Sequence, residues 1–210
     1  MQHTILKCVA SGFLGIAVGV ASISELKAKD KGKIPTEKRK NYLKWEDYFM
    51  SVALISAQRS KDPVTQVGAC IVNEDKRIIG VGYNGFPIGC SDDLFPWSKS
   101  TKDPIDSKHM YVVHAEENAI INRFSADLKN STIYVSLFPC NRCAQIIIQS
   151  GIKKIVYMSD KKSHTIEVEA SKRMLDAASV EYNQYQPTCK GLRLDFTDFD
   201  NQQIARQIEQ

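Results

Sequence analysis

The chain has 210 residues, of which 43% are hydrophobic and 25% are charged, with 11 Gly and 7 Pro. These ordinary globular proportions exclude collagen-like, low-complexity and globally disordered proteins. The length is that of one large domain, or of one domain with an extension, and it suffices to bury a substantial core without disulfides.

The net charge of +4 is unevenly distributed along the chain. Residues 1–44 carry nine basic and three acidic side chains, a balance of +6, so the other 166 residues have a balance of −2. Tight nucleic-acid binding requires clustered Lys and Arg. Because the body of the protein lacks this excess, we expect no nucleic-acid partner.

The N-terminal segment divides into an uncharged stretch and a Lys-rich stretch. Residues 8–23 contain no charge and follow Lys7, a pattern typical of a secretory signal or a short membrane anchor, but sixteen residues are too few to span a bilayer reliably. The Lys-rich stretch up to Lys40 indicates a solvated linker. We therefore expect a cytoplasmic protein, with targeting or anchoring through residues 1–24 as the alternative and membrane contact only through residues 8–23.

The first half of the body predicts a helix, a hairpin and a long loop. Apolar residues recur at helical spacing from Trp45 to Arg59, where Asp62 and Pro63 end the pattern. Two strand-like runs, 67–72 and 77–83, flank a polar turn and predict a β-hairpin. Residues 86–112 contain no strand pattern, and a loop of this length inside a domain is usually functional.

Strand and helix patterns alternate in the second half. The predicted helices are 114–124, 140–150 and 166–178, and the predicted strands are 132–137, 153–158 and 180–185. Gly151 is typical of the residue that follows a helix C-terminus. This alternation predicts right-handed parallel crossovers. The expected fold is α/β: a three-layer α/β/α sandwich around a five-stranded mixed sheet.

Two short motifs carry the chemistry: His114-Ala115-Glu116 and Pro139-Cys140-Asn141-Arg142-Cys143. Alone, each is weak, because a His-x-Glu pair is usually an ordinary helical feature and a C-x-x-C pair can be redox-active or half of a structural zinc site. Together they are stronger, since each lies at the predicted start of a helix.

These motifs provide three zinc ligands and an acid–base group. Cys140 and Cys143 face the same side of a first helical turn and, with His114, leave the fourth tetrahedral position for water, as in catalytic zinc sites. Glu116 is placed to exchange a proton with that water. Whether His109 or Cys90 is a further ligand stays open. Six Cys with a C-x-x-C pair favour metal thiolates in a reducing compartment over disulfides.

The pattern H-x-E…P-C-x-x-C is the signature of zinc nucleobase deaminases. Over about residues 42–196 the chain resembles the cytidine and deoxycytidylate deaminase superfamily, and within it the deoxycytidylate (dCMP) deaminases. The resemblance is carried by residues 56–63, 66–72, 82–93 with Pro96 and Trp97, and 135–143. It implies a cytidine deaminase-like domain over 42–196, preceded by an extension (1–41) and followed by a polar tail (197–210).

The resemblance also implies an activity, the hydrolysis of dCMP to dUMP and ammonia, which supplies thymidylate synthesis. One zinc-bound water per subunit would attack C4, and Glu116 would protonate N3 and then the leaving amine. The Ala115 N–H would hold the O2 edge of the base, and Asn84 would contact the sugar. An Asn-Gly hairpin turn is the alternative explanation of Asn84.

Phosphate and effector contacts are further implications of the resemblance. Arg59 and Ser60 would bind the substrate phosphate, although basic residues are also favoured at a helix C-terminus. Members of the family are typically homohexamers, activated by dCTP and inhibited by dTTP. The expected effector contacts are Lys61, Gly82, Tyr83 and Gly85, with Mg²⁺ accompanying the triphosphate.

Three alternatives remain at this point: a deaminase of free cytidine or deoxycytidine, a deaminase of a base in a polynucleotide, and a non-catalytic module that binds zinc or a nucleotide. The balance of −2 in the body disfavours a polynucleotide substrate. The presence of Glu116 disfavours a non-catalytic module, which has no need of it. Residues 56–63 and 82–93 favour the nucleotide over the nucleoside.

Overall fold

A computed structural model describes residues 36–99, 102–125, 127–194 and 196. The expectations for targeting through 1–24, membrane contact through 8–23 and a tail at 197–210 lie outside these residues. The chain divides into two units, Met1–Tyr42 and Leu43–Gln210. All helices and strands given below belong to the second unit. No helix in the described part of the chain combines the length and apolar character that crossing a membrane requires.

The second unit contains four α-helices and five strands among its described residues. In chain order they are α1 (Trp45–Ala57), β1 (Gly68–Val72), β2 (Ile78–Tyr83), α2 (Ala115–Ile121), β3 (Thr132–Leu137), α3 (Asn141–Gln149), β4 (Lys154–Ser159), α4 (Ile166–Ala177) and β5 (Glu181–Gln184). The sheet order is β2-β1-β3-β4-β5. β1 is antiparallel to both β2 and β3, whereas β3, β4 and β5 run parallel. The predicted hairpin and mixed sheet are confirmed.

Alternating side chains of the central strands supply two cores. Ala69 and Ile71 face the core formed with α2, α3 and α4, while Cys70 and Val72 face the core formed with α1. All five residues of β1 are buried, as expected for a strand covered on both faces. Among the described residues, one helix therefore covers one face of the sheet and three cover the other, which confirms the three-layer sandwich.

Helix α2 lies directly on β2. A Cβ atom added to Gly82 would lie 2.3 Å from both the carbonyl oxygen of Ala115 and the nitrogen of Ala119. Only a residue without a side chain permits this approach. Gly82, which the resemblance assigns to effector binding, is therefore buried against the start of α2, and contact with an effector stays a prediction.

The helices end earlier than the periodicity predicts. α1 ends at Ala57 instead of Arg59, and α2 ends at Ile121 instead of Phe124. The N–H of Phe124 donates to the carbonyl of Ile79 at 2.7 Å, so the chain leaves the helical path to bond to β2. A tertiary hydrogen bond has overridden the local helical pattern at this point.

The long loop 86–112 has its own small core. Phe86 contacts Phe95 and Trp97, with ring centroids 5.6 and 4.2 Å apart, and Phe95 contacts Tyr111 at 5.1 Å. The expected absence of a strand holds in its described residues, which contain two 3₁₀ turns, Pro104–Asp106 and Lys108–Met110. Beside it, Gly85 forms a single antiparallel bridge with Val113, the residue before His114.

Candidate active site

The two motifs meet at the N-termini of α2 and α3. His114 and Cys140 are the N-cap residues of these helices and have extended backbone conformations, with ψ angles of 159° and 174°. The sequence predicted that His114 and Cys140 are the first residues of their helices. This was wrong by one residue, since the helices begin at Ala115 and Asn141. The cap side chain faces the third helical residue, so Cys140 still lies on the same side as Cys143. Pro139 precedes the cap and is fully buried.

Three metal donors cluster there. The Nδ1 atom of His114 lies 3.3 Å from the Sγ of Cys143 and 3.5 Å from the Sγ of Cys140, and all three donor atoms lie within 4.8 Å of one another. Donors bound tetrahedrally to one zinc ion are about 3.5 Å apart, given Zn–S and Zn–N bonds of about 2.3 and 2.0 Å. The residues therefore fit zinc. In the part of the chain that the structure describes, neither His109 nor Cys90 joins a group of three donors.

The local electrostatics favour the thiolate form of cysteine, which is the form that binds a metal ion. A hydrogen bond from the Cys143 thiol lowers the pKa of Cys140 to about 3, while the pKa of Cys143 is raised well above its usual range because it donates that bond. The hydrogen bond with Cys140 raises the pKa of His114 to about 8. Two helix N-termini add positive potential. One thiol ionises readily, and a metal ion would stabilise the second thiolate.

Glu116 lies beside these donors on the first turn of α2. It is only 4% exposed, and burial raises the pKa of its carboxyl group. Burial therefore makes Glu116 a stronger base than an exposed carboxylate, as suits a group that takes up a proton from water. Ala115, the first residue of α2, has a backbone N–H without an intrahelical acceptor. The start of α2 thus offers an acid–base group next to a hydrogen-bond donor.

Glu117 and Arg142 are neighbours of the cluster that the sequence reasoning missed. One carboxylate oxygen of Glu117 accepts from the backbone N–H of His114 at 2.8 Å, and the other accepts from the Arg142 guanidinium at 3.4 Å. Arg142 lies between the two cysteines in sequence. Glu117 therefore connects the two helix starts that carry the metal donors. The spacing of a cap residue and a Glu three positions later, typical of a capping box, could have found it.

Asn84 follows β2 and is 6% exposed. Its side-chain oxygen accepts from the Val67 N–H at 2.8 Å, and its side-chain nitrogen donates to the Thr65 carbonyl at 3.1 Å. Ser60, one of the predicted phosphate contacts, donates its hydroxyl to the carbonyl of Asn84 at 2.9 Å. The next residue, Gly85, pairs with Val113, so Asn84 lies one bridge away from the strand-like segment that leads into His114.

The remaining predicted nucleotide contacts lie at exposed positions. Arg59 is exposed, and Lys61 forms an exposed ion pair with Asp92 of the long loop. Tyr83 is 37% exposed, and its carbonyl accepts from the Asn118 side chain at 2.7 Å. The structure thus brings Ser60 and Gly85 to Asn84, whereas it places Arg59, Lys61 and Tyr83 at the surface.

A second feature missed by the sequence reasoning is a buried ion pair. Lys108 and Asp62 are each 4% exposed, and the Lys108 Nζ lies 2.6 and 2.5 Å from the two carboxylate oxygens. Asp62 also reaches the side chain of Asn84. The sequence marked Asp62 only as the end of a helix and gave no sign of Lys108.

The chain is similar to known proteins over the range that contains this site. Residues 43–159 match the family model described as the cytidine and deoxycytidylate deaminase zinc-binding region, and this range contains both motifs. A Drosophila melanogaster protein described as a probable deoxycytidylate deaminase is 55% identical over 78% of this chain and 83% of its own length. The deoxycytidylate deaminase of Homo sapiens is 48% identical over 80% of this chain and 95% of its own.

Solved structures show the same fold. The dCMP deaminase of cyanophage S-TIM5 in its apo form superimposes with a TM-score of 0.51 at 25% identity, over 67% of this chain and 96% of the phage chain. Its complex with dCMP and dUMP gives 0.56 at 24% identity, over 69% and 100%. With the His/Cys/Cys cluster and the family model in agreement, the chain belongs to the cytidine and deoxycytidylate deaminase family of zinc-dependent hydrolases.

Proposed function

We propose that the chain hydrolyses dCMP to dUMP and ammonia. The observation that carries this proposal is a cluster of three metal donors within 4.8 Å, with the buried carboxyl group of Glu116 at its side. The choice of dCMP is supported by the relatives named deoxycytidylate deaminase, which align over most of both chains.

His114, Cys140 and Cys143 would hold one zinc ion per subunit. When bound, zinc supplies a Lewis acid that lowers the pKa of water. Glu116 takes a proton from the attacking water and delivers it to N3 of the cytosine ring. It then takes the second proton, from the hydroxyl group now bonded to C4, and delivers it to the amine, so that the C4–N bond breaks and ammonia leaves. Burial suits Glu116 to this role because it brings the pKa of the carboxyl closer to the pH at which the proton must move in both directions.

Two further groups would orient the substrate. The Ala115 N–H donates to O2 of the base, since the first N–H groups of a helix have no partner within it. Asn84 has used both amide hydrogens and one oxygen lone pair on its own chain, so only its second lone pair is left for a ligand. It therefore accepts from a hydroxyl group, and the one free hydroxyl on the sugar of dCMP is the 3′-OH.

The phosphate and effector contacts complete the proposal. Exposed Arg59 and nearby Ser60 are proposed for the substrate phosphate. Lys61, Gly82, Tyr83 and Gly85 are proposed for dCTP and dTTP, with Mg²⁺ on the triphosphate and a homohexamer as the assembly. We place the catalytic domain at 42–196, between the extension 1–41 and the tail 197–210. A cytoplasmic location is favoured by the five described cysteines, none of which forms a disulfide.

A substrate panel tests the activity. Purified full-length protein is assayed on dCMP, deoxycytidine and cytosine-containing single-stranded DNA, each with and without Mg²⁺ and dCTP or dTTP. We expect dCMP to react much faster than the other two, with dCTP raising and dTTP lowering the rate at low dCMP concentration. Equal rates on deoxycytidine would reassign the substrate, and rates unchanged by either triphosphate would remove the effector assignment.

Metal analysis tests the site independently of activity. We expect about one zinc per subunit in the wild type and a large loss in Cys140→Ser, which removes one of three protein ligands. Cys70→Ser is the matched control because Cys70 is buried on the opposite face of the sheet, in the core beneath α1. Unchanged zinc in Cys140→Ser would contradict the proposed ligand set.

A further inference from the structure

The Lys108–Asp62 ion pair differs from every other ion pair in the described residues. Its two side chains are 5% and 3% exposed, whereas each of the other pairs has at least one side chain that is 32% or more exposed. It joins the long loop to the segment after α1, across 46 residues of sequence. Burying two charges costs desolvation energy that their attraction often fails to offset. What this pair holds in place is therefore more informative than its contribution to stability.

Asp62 organises the turn that follows α1. Its Oδ1 atom accepts from the backbone N–H groups of Val64 at 2.8 Å and Thr65 at 3.0 Å. Its Oδ2 atom lies 3.4 Å from the side-chain nitrogen of Asn84. Burial raises the pKa of Asp62, but the hydrogen bonds from Lys108 and from these N–H groups together outweigh it and keep the pKa below its usual value. Asp62 is thus a charged acceptor for several donors at once.

These contacts set the orientation of the Asn84 amide. The Val67 N–H requires an oxygen opposite it, while the Thr65 carbonyl and the Asp62 carboxylate require N–H groups. Turning the amide by 180° would place N–H against N–H and oxygen against two oxygens. The amide is therefore locked, and the one unused position on it is a lone pair of its oxygen.

Lys108 fixes the segment that leads into the metal cluster. Its backbone N–H donates to the Ser98 carbonyl at 2.9 Å, and its carbonyl accepts from the Val112 N–H at 2.9 Å. Val113 then pairs with Gly85, and the next residue is His114. The same ion pair therefore anchors both Asn84 and the approach to His114.

We propose that Asp62, neutralised by Lys108, is a positioning residue that turns the Asn84 oxygen toward the sugar and thereby makes the enzyme selective for substrates with a 3′-hydroxyl group. This inference rests on the proposed function, since it assigns the Asn84 amide to the sugar of dCMP. Substrates that lack the 3′-hydroxyl leave that oxygen without a donor and are disfavoured.

The experiment compares dCMP with 2′,3′-dideoxycytidine 5′-monophosphate, which lacks the 3′-hydroxyl, in kcat/KM without effectors. We expect the wild type to prefer dCMP by about tenfold, the value of one hydrogen bond. Asp62→Leu/Lys108→Met removes both charges and should recover most of the melting temperature lost in Lys108→Met alone. We nevertheless expect its preference to fall to about twofold, with zinc content unchanged.

Two additional variants serve as a second test of Asp62 and as a control. Asp62→Asn/Lys108→Met keeps the shape of residue 62 but turns a donor toward the Asn84 amide, so it should lose the preference as well. Glu169→Gln/Arg173→Met removes an exposed ion pair on α4 and should keep it. The proposal is overturned if either Asp62 double variant keeps the wild-type preference for dCMP. An equal loss of rate on both substrates counts as such a result, because it leaves the preference unchanged. A wild type that does not deaminate dCMP overturns the proposed function itself. A wild type that deaminates dCMP without preferring it to the dideoxy compound overturns the selectivity proposed for Asp62 and Asn84 but not the proposed function.

Discussion

The metal cluster and the surroundings of Asn84 are built in opposite ways. The cluster comes from two motifs of three and five residues, each at the first turn of a helix that the fold brings to one place. Asn84 is held by Asp62, 22 residues away, and Asp62 is held by Lys108, 46 residues away. The groups proposed for bond-breaking are thus encoded locally, whereas the groups proposed for recognising the sugar depend on tertiary contacts.

Replacing Glu116 tests the metal cluster, whose residues lie close together in sequence. It is the substitution with the largest expected effect on activity. Glu116→Gln keeps the size of the side chain but cannot carry the proton, so we expect kcat to fall by about 10²- to 10⁴-fold while zinc content is unchanged. Steady-state kinetics and metal analysis of the same preparation measure both. Glu169→Gln, an exposed position on α4, is the control for losing one carboxylate. Near-normal turnover in Glu116→Gln would contradict the acid–base role proposed for Glu116.

Gly82→Ala tests the connection between the metal cluster and the surroundings of Asn84, because Gly82 precedes Asn84 by two residues and packs against the start of α2. The added methyl group would lie 2.3 Å from backbone atoms of Ala115 and Ala119, which cannot move without displacing α2. We expect a loss of about 1–3 kcal/mol in the free energy of unfolding, measured by urea denaturation. Gly191→Ala is the matched control, since a Cβ there meets nothing within 4 Å. Equal stability of the two variants would mean that α2 adapts freely.

Two substitutions of Glu117 distinguish its contact with the His114 N–H from its contact with Arg142. Glu117→Gln retains an oxygen for the His114 N–H but loses the charge that attracts Arg142, whereas Glu117→Ala loses both contacts. We expect zinc to be released to a chelator about tenfold faster from the Ala variant, with the Gln variant between it and the wild type. Stopped-flow zinc release measures these rates. Identical rates in all three proteins would show that the donors need no support from Glu117.

Acid unfolding tests the long-range contacts of Asp62. It has the smallest expected effect, a change in how stability depends on pH. Because the pKa of Asp62 is lowered in the folded state, its contribution to stability is present above its ordinary pKa of 3.8 and is lost as the pH falls through the lowered value. Asp62→Asn/Lys108→Met lacks this contribution. The free energy of unfolding should therefore fall less between pH 5 and pH 2 in the variant than in the wild type, at equal zinc concentration. Parallel curves would contradict a charged Asp62 in the folded protein.

The sequence predicted the fold well because hydrophobic periodicity is a local signal. Each of the five strands lies where alternation or an apolar run placed it, and the errors are at helix ends, such as Phe124, where a bond to Ile79 replaces a helical one. His114, Glu116, Cys140 and Cys143 were identifiable for the same reason, since each motif lies within a few residues. Lys108 was not, because a lysine in a polar loop resembles a solvated one until its distant partner is known.

The shortness of α2 has a consequence for how the protein is made. Seven residues form about two turns, and a helix of this length is not stable alone in water. We therefore expect Glu116 and the cap residue His114 to take up their positions only when α2 packs against Gly82 of β2. A newly synthesised chain would consequently have no assembled metal site until the hairpin and the α3 segment have both folded. Zinc retention thus reports on completed folding as well as on the ligands themselves.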